Sequence, residues 1–152
     1  MNGHREPSSE QVERIRVELA GSLDRHSAMS RVVDILKEDP RYTWVGIYLL
    51  EGDELVLGPF LGKPSPHTRI PLGRGICGAA ATARSTIIVD DVNNDPRYLA
   101  CSFETQSEIV VPIMRAGNVL GEIDIDSDTR AAFDLDDRQR LEVVAALLSE
   151  KL

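Results

Sequence analysis

The segment that most restricts the fold is a hairpin late in the chain. Glu108 to Arg115 and Val119 to Ser127 read as two strands around Ala116-Gly117-Asn118, a turn signature. In the second strand Glu122, Asp124 and Asp126 alternate with Ile123 and Ile125. Successive strand side chains point to opposite faces, so the isoleucines face one side and the acids the other. With the turn centred on Gly117, Glu108 falls opposite Asp126, and directly opposed residues share a face. This register predicts that Glu108, Asp124 and Asp126 converge, whereas a slip by one residue would separate them. Antiparallel sheets often carry a solvated polar face. Against that reading, opposed like charges destabilise a sheet, and Arg115 is the one basic residue near the turn. The pattern leaves both readings open. Carboxylates crowded together cannot all stay ionised, so one can hold a proton near neutral pH and act as a general acid. The ionised remainder suits an ammonium group.

The rest of the chain supplies the elements that such a sheet packs against. Ser8-x-x-Gln11 resembles a capping box, and Val12, Ile15, Leu19 and Leu23 recur at helical spacing. A second helix carries Met29, Val32, Val33 and Leu36 on one face and ends at Asp39-Pro40. Tyr42 to Leu50 and Leu55 to Phe60 read as strands around the turn Glu51-Gly52-Asp53. Residues 61–68 read as a loop, Thr68 to Pro71 and Thr86 to Val89 as short strands, and Ile76 to Thr82 as a short helix. Asp90 to Ser107 is the longest irregular stretch, a length that usually signals function or disorder. A last helix begins near Asp134, with Leu141, Val144, Ala145, Leu148 and Leu152 on its apolar face. The predicted class is α+β, a mostly antiparallel sheet with the N- and C-terminal helices on one face and a pocket on the other. Residues 1–7 are expected to be disordered and 8–152 to form one domain.

Three further features could carry chemistry. Trp44, Gly46 and Tyr48 share a strand face; they are either an ordinary core stripe or the apolar wall of a pocket. Gly73-Arg74-Gly75-Ile76-Cys77-Gly78 lacks the spacing and the Lys-Ser/Thr ending of a phosphate loop, which leaves tight packing as its role. Cys77 near a helix start is either an inert buried thiol or one with a lowered pKa. Cys101 lies in the long polar loop, where a thiol can act as a nucleophile.

Composition excludes several classes. The 17 basic and 25 acidic residues give a net charge of −8, and no basic run offers a nucleic-acid footprint. No apolar run approaches a membrane span. Met1 to Pro7 lacks a signal-peptide core, so a cytoplasmic location is expected. Two cysteines and the scattered His4, His26 and His67 show no metal-ligand spacing, so no metal site or bound cofactor is expected.

The strings WVGIYLL, LVLGPF, RIPLGRGICG, YLACSFETQSEIVVP and GEIDIDS, in this order, resemble the free methionine-(R)-sulfoxide reductases, which are single GAF domains. The resemblance implies that Cys101 is the nucleophile attacking the sulfoxide sulfur. It places the acids of the site on Glu108, Asp124 and Asp126 and the aromatic wall on Trp44 and Tyr48. It also implies a Cys101 sulfenic acid that a second thiol condenses with, and thioredoxin or another thiol as reductant. The usual resolving cysteine is absent: its position holds His67, expected to be an exposed loop residue. Three alternatives follow: Cys77 resolves the sulfenic acid, an external thiol does so, or the domain is a non-catalytic small-molecule sensor. GAF domains often pair as homodimers, and the apolar faces of the first and last helices are the expected contact.

Overall fold

The described residues of this computed structural model are 6–100 and 102–152, with side chains from residue 10 onward. They run α1 (Glu6–Leu19), α2 (Arg25–Leu36), β1 (Trp44–Glu51), β2 (Glu54–Leu61), β3 (Arg69–Pro71), α3 (Gly75–Ala83), β4 (Ile87–Val89), β5 (Ser107–Arg115), β6 (Asn118–Ser127) and α4 (Leu135–Ser149). A 3-10 turn at Val92–Asn94 interrupts the long loop before β5. The strands form one sheet in the order β3-β2-β1-β6-β5-β4, with every pair antiparallel. The two chain halves therefore meet at the β1–β6 pair in the middle of the sheet.

Two apolar layers sandwich this sheet. Ile109, Val111, Ile113, Ile123 and Ile125 point to one face and pack with Val45 and Ile47 under α1, α2 and α4. Each such fully buried side chain contributes about 1.5–3 kcal/mol. The second layer, including Tyr48, Leu55, Ile70, Ile76, Cys77, Ala80 and Val110, lies on the opposite face beneath α3. Gly78 allows this approach: a Cβ there would sit 2.4 Å from the Leu72 carbonyl oxygen. The glycine-rich turn thus serves tight packing, as its sequence suggests.

Two expectations about the helices change. α1 begins at Glu6, before Ser8, so Ser8 lies inside the helix and is not its cap. Pro7 fits this start because a helix's first turn has no use for its missing N–H. Gln11 instead donates from Nε2 to the Ile35 carbonyl at 2.8 Å, joining α1 to α2. Residues 1–5 lie outside the described residues, while Glu6 and Pro7 belong to α1. Secondly, Ile15, Leu19, Leu141, Val144, Ala145 and Leu148 are all buried within the chain. The apolar faces expected to form a dimer contact are occupied by the domain's own sheet. Val17 on α1 and Leu135 and Val143 on α4 are the large apolar residues these helices present outward.

α4 is anchored by a buried acid of its own. Asp134 and Asp137 form a reciprocal capping box. Asp137, fully buried, also accepts from Tyr42 Oη at 2.6 Å, Arg41 Nη2 at 2.7 Å and Arg140 Nη2 at 2.8 Å. Burial pushes its carboxyl up, but the hydrogen bonds from Arg41 and Tyr42 outweigh this and hold it at about 2. This is how the chain keeps a buried carboxylate ionised. The acids on the sheet are treated differently.

Candidate active site

The hairpin closes in the expected register: Glu108 pairs with Asp126, Val110 with Asp124 and Pro112 with Glu122. On the other flank of β6, Trp44 pairs with Asp126, Gly46 with Asp124 and Tyr48 with Glu122. The aromatic stripe of β1 and the acidic stripe of β6 therefore lie side by side, on the face away from α1, α2 and α4. All four acids are buried: Glu108 is 6% exposed, Glu122 0%, Asp124 5% and Asp126 4%. The solvated-face reading is thereby excluded. Glu122 was not among the expected site residues. The strand alternation already placed it on this face, but it stands opposite Pro112 and not opposite an acid.

Among the described residues Glu122, Asp124 and Asp126 make none of the arginine ion pairs that surround Asp137. Arg115, the basic residue nearest the turn in sequence, donates instead to the Ser149 carbonyl of α4 at 3.0 Å. Both oxygens of Glu122 and the Oδ1 atoms of Asp124 and Asp126 find no hydrogen-bond partner among the described residues. Burial, joined by the charge of Asp124, pushes the carboxyls of Glu122 and Asp126 well above the usual carboxylate range. Asp124 is raised by burial too, opposed by interactions with Glu108 and Cys77. These carboxyls therefore hold their protons to higher pH than a free carboxylate does.

This arrangement has a stability consequence. A carboxyl that keeps its proton to higher pH in the folded chain makes the folded state bind more protons than the unfolded state. Stability then falls as pH rises from the unfolded value, about 4.3 for Glu, through the raised folded one. Glu122→Gln keeps the shape and removes one such group. Between pH 5 and pH 9 the stability of the variant is expected to gain on that of the parent by on the order of 1 kcal/mol or more. Urea unfolding at the two pH values checks this. The same pH dependence in both chains would show that Glu122 carries no such burden.

Cys77 sits in the first turn of α3, yet its thiol is not activated. Its pKa is raised, by burial first and then by the charges of Asp124, Glu122 and Glu108. The possibility of a lowered pKa is therefore corrected: burial and three carboxylates outweigh the helix start. Its Sγ donates to Asp124 Oδ2 at 3.4 Å. Cys101, expected as the nucleophile, lies outside the described residues.

The aromatic wall also holds the loop between β2 and β3. The Trp44 indole folds over Gly46, where a Cβ would meet it at 2.3 Å, and stacks on Phe60 at 5.7 Å between centroids. Trp44 Nε1 donates to the Lys63 carbonyl at 2.9 Å, and Tyr48 Oη to the His67 carbonyl at 2.7 Å. His67 is half-buried, not the exposed loop residue expected, and its Nε2 donates to the Ala100 carbonyl at 3.1 Å. Lys63 Nζ reaches Glu104 at 2.9 Å. Two contacts thus tie this loop to the segment on either side of position 101.

Two cavities border the acids. One of about 20 Å³ is lined by Tyr48, His67, Cys77, Leu99, Glu108 and Asp124. The other, about 220 Å³, is lined by Trp44, Lys63, Ser102, Glu104, Asp126 and neighbours. The first has room for a single water or ion; the second admits a small amino acid. A larger open groove of about 830 Å³ lies among α1, the loop after α2 and the start of α4. Its charges pair with one another, Arg14 with Glu38 and Arg41 with Asp39 and Asp137, so they are engaged within the chain.

The sheet order, the helices on one face and the acid-lined pocket on the other define a GAF domain. The family model for the GAF domain matches residues 24–152, and the chain belongs to that family. Among its relatives, the Saccharomyces cerevisiae free methionine-R-sulfoxide reductase is 43% identical over 135 residues, covering 86% of this chain and 71% of the yeast protein. The structure of a free methionine-R-sulfoxide reductase from Neisseria meningitidis, in complex with its substrate, superposes with a TM-score of 0.90 at 38% identity, covering 95% of this chain and 87% of that one. A type II free methionine-R-sulfoxide reductase from Thermoplasma acidophilum gives 0.82 at 43% identity, with 84% and 91% covered. Among the described residues no helix is long and apolar enough to cross a membrane.

Proposed function

We propose that this domain reduces free L-methionine-(R)-sulfoxide to methionine. The observation that carries the reading is the buried cluster of Glu108, Asp124 and Asp126 beside Trp44 and Tyr48. It occurs in a chain that shares 43% identity with a reductase of that substrate. The ionised part of the cluster binds the substrate's ammonium group, and the indole of Trp44 covers its methyl-sulfoxide end. The substrate enters through the cavity between Trp44 and Ser102, beside the inner cavity at Glu108 and Asp124.

In the proposed reaction the Cys101 thiolate attacks the sulfoxide sulfur while a protonated carboxyl of the cluster gives its proton to the oxygen. The oxygen passes to Cys101 as a sulfenic acid, and the substrate sulfur, gaining two electrons, leaves as methionine. A second thiol condenses with the sulfenic acid, releasing water and forming a disulfide, which thioredoxin or another dithiol reduces. No bound cofactor takes part. Cys77, buried against Asp124 with a raised pKa, is a slow second thiol at rest, which favours an external one. The setting is a reducing cytoplasm, with pairing as a homodimer through the outward sides of α1 and α4 around Val17 and Val143.

Incubation of the protein with the separated R and S sulfoxides and dithiothreitol tests the reading. Methionine is expected from the free R form alone. A histidine in place of the usual resolving cysteine favours the second reading, a non-catalytic sensor. That reading predicts binding without methionine release, and such a result would sink the reductase.

A further inference from the structure

The inner cavity brings together ligand types that no spacing along the chain announces. Cys77 comes from α3, Glu108 from β5 and Asp124 from β6. One atom from each, the Cys77 Sγ and a carboxylate oxygen from each acid, all lie within 4.8 Å of one another. All three residues are buried. We propose that Cys77, Glu108 and Asp124 form a binding site for one zinc-like divalent cation.

Three observations support the site. The donor set is one sulfur and two carboxylates, which suits a borderline-soft cation such as zinc and disfavours magnesium or calcium. Zinc bonds of about 2.3 Å to sulfur and 2.0–2.2 Å to oxygen place ligand atoms roughly 3.5 Å apart. Cys77 Sγ and Asp124 Oδ2 already stand 3.4 Å apart. Next, Asp124, 5% exposed and in the cavity wall, keeps an Oδ1 with no partner among the described residues. Both oxygens of Glu122, two residues along the same face, are likewise unpartnered. Lastly, the cavity of about 20 Å³ matches a single ion. Three protein ligands with a fourth position left open describe an accessible site, not a closed structural one.

On binding, the Cys77 thiol loses its proton to solvent and its sulfur bonds the metal, so the contact with Asp124 Oδ2 becomes a shared coordination. No electron moves. The metal removes Cys77 from thiol chemistry. It also occupies the carboxylates assigned above to the substrate's ammonium group, so zinc inhibits by competition. Only this last consequence rests on the proposed reductase reading.

Cobalt(II) is the probe, because a thiolate ligand gives it a charge-transfer band in the near ultraviolet. The full-length Cys101→Ser chain is titrated with cobalt chloride in oxygen-free buffer. The expected result is one cobalt per chain with the thiolate band, displaced by zinc. In the same background Cys77→Ser abolishes the band, and Glu108→Gln weakens binding at least about tenfold, since losing even an outer-shell partner typically costs about 10–100-fold. Circular dichroism verifies the fold of each variant. A Cys101→Ser chain that gives no band overturns the site, as does a band that survives Cys77→Ser. Should the Cys77 variant fail to fold, undiminished affinity in Glu108→Gln overturns it equally. Cobalt that binds as expected but is not displaced by free methionine sulfoxide leaves the metal site standing and counts against the amine's use of those carboxylates.

Discussion

Cys101→Ser is expected to lower turnover of free L-methionine-(R)-sulfoxide by roughly three orders of magnitude or more, the scale on which removal of an enzyme nucleophile acts. The hydroxyl does not ionise near neutral pH and cannot stand in for a thiolate at sulfur. Substrate affinity is expected to stay close to that of the parent, because in the proposed reading the sheet acids hold the ammonium group and Trp44 the sulfoxide end. Steady-state turnover with dithiothreitol and a separate calorimetric binding constant give the two quantities. Equal activity in variant and parent would remove Cys101 from the mechanism, whereas a common loss of activity and binding would assign it a structural role. Near-complete loss of turnover with intact binding is the outcome that supports covalent chemistry at this thiol.

Asp124→Asn is expected to lower kcat/KM by about two orders of magnitude or more. Removing one partner of a buried, hydrogen-bonded charge contact costs about 2–5 kcal/mol, which sets this scale. Asp124 sits at the centre of the site, between Gly46 of β1 and Val110 of β5. It touches Cys77 and interacts with Glu108, so no neighbouring carboxylate replaces it in place. The substrate supplies its own control. A sulfoxide with hydrogen in place of the amino group has nothing to offer that carboxylate. In the parent this analogue is expected to be as poor as the true substrate is in the variant, and in the variant the two substrates are expected to converge. The four rates form a cycle whose coupling measures the amine–carboxylate contact. Independent losses, with no coupling, would assign Asp124 to proton handling or to support of Glu108. Melting curves of parent and variant establish that the fold is kept. A stable variant is expected, since neutralising a buried carboxylate that holds a partnerless oxygen relieves desolvation.

Much of this was legible in the residues. Alternation of acids and isoleucines over Glu122–Asp126, with a two-sided turn at Gly117, determines that one face of β6 is apolar and the other acidic. It also aligns Glu108 with Asp126, as found. Helical periodicity identified α2 and α4 and the faces they bury. Local signals of this kind are readable because period and turn chemistry act between near neighbours. The start of α1 was misplaced because Ser8-x-x-Gln11 has the form of a capping box, although Ser8 lies inside the helix.

What the sequence could not determine is whether the acidic face met water, because burial depends on what covers a surface. The covering helix α3 and the loops from β2 and toward β5 arrive from distant parts of the chain. Their arrival decides the protonation of Glu122 and Asp126 and reverses the expected effect of the helix start on Cys77. It also brings His67 onto the Ala100 carbonyl. The sequence by itself specified a sheet with an acidic side beside Trp44 and Tyr48. Only the tertiary structure turned that side into a buried, acid-lined pocket, because the free energy of a charge is set by its surroundings and not by its neighbours in the chain.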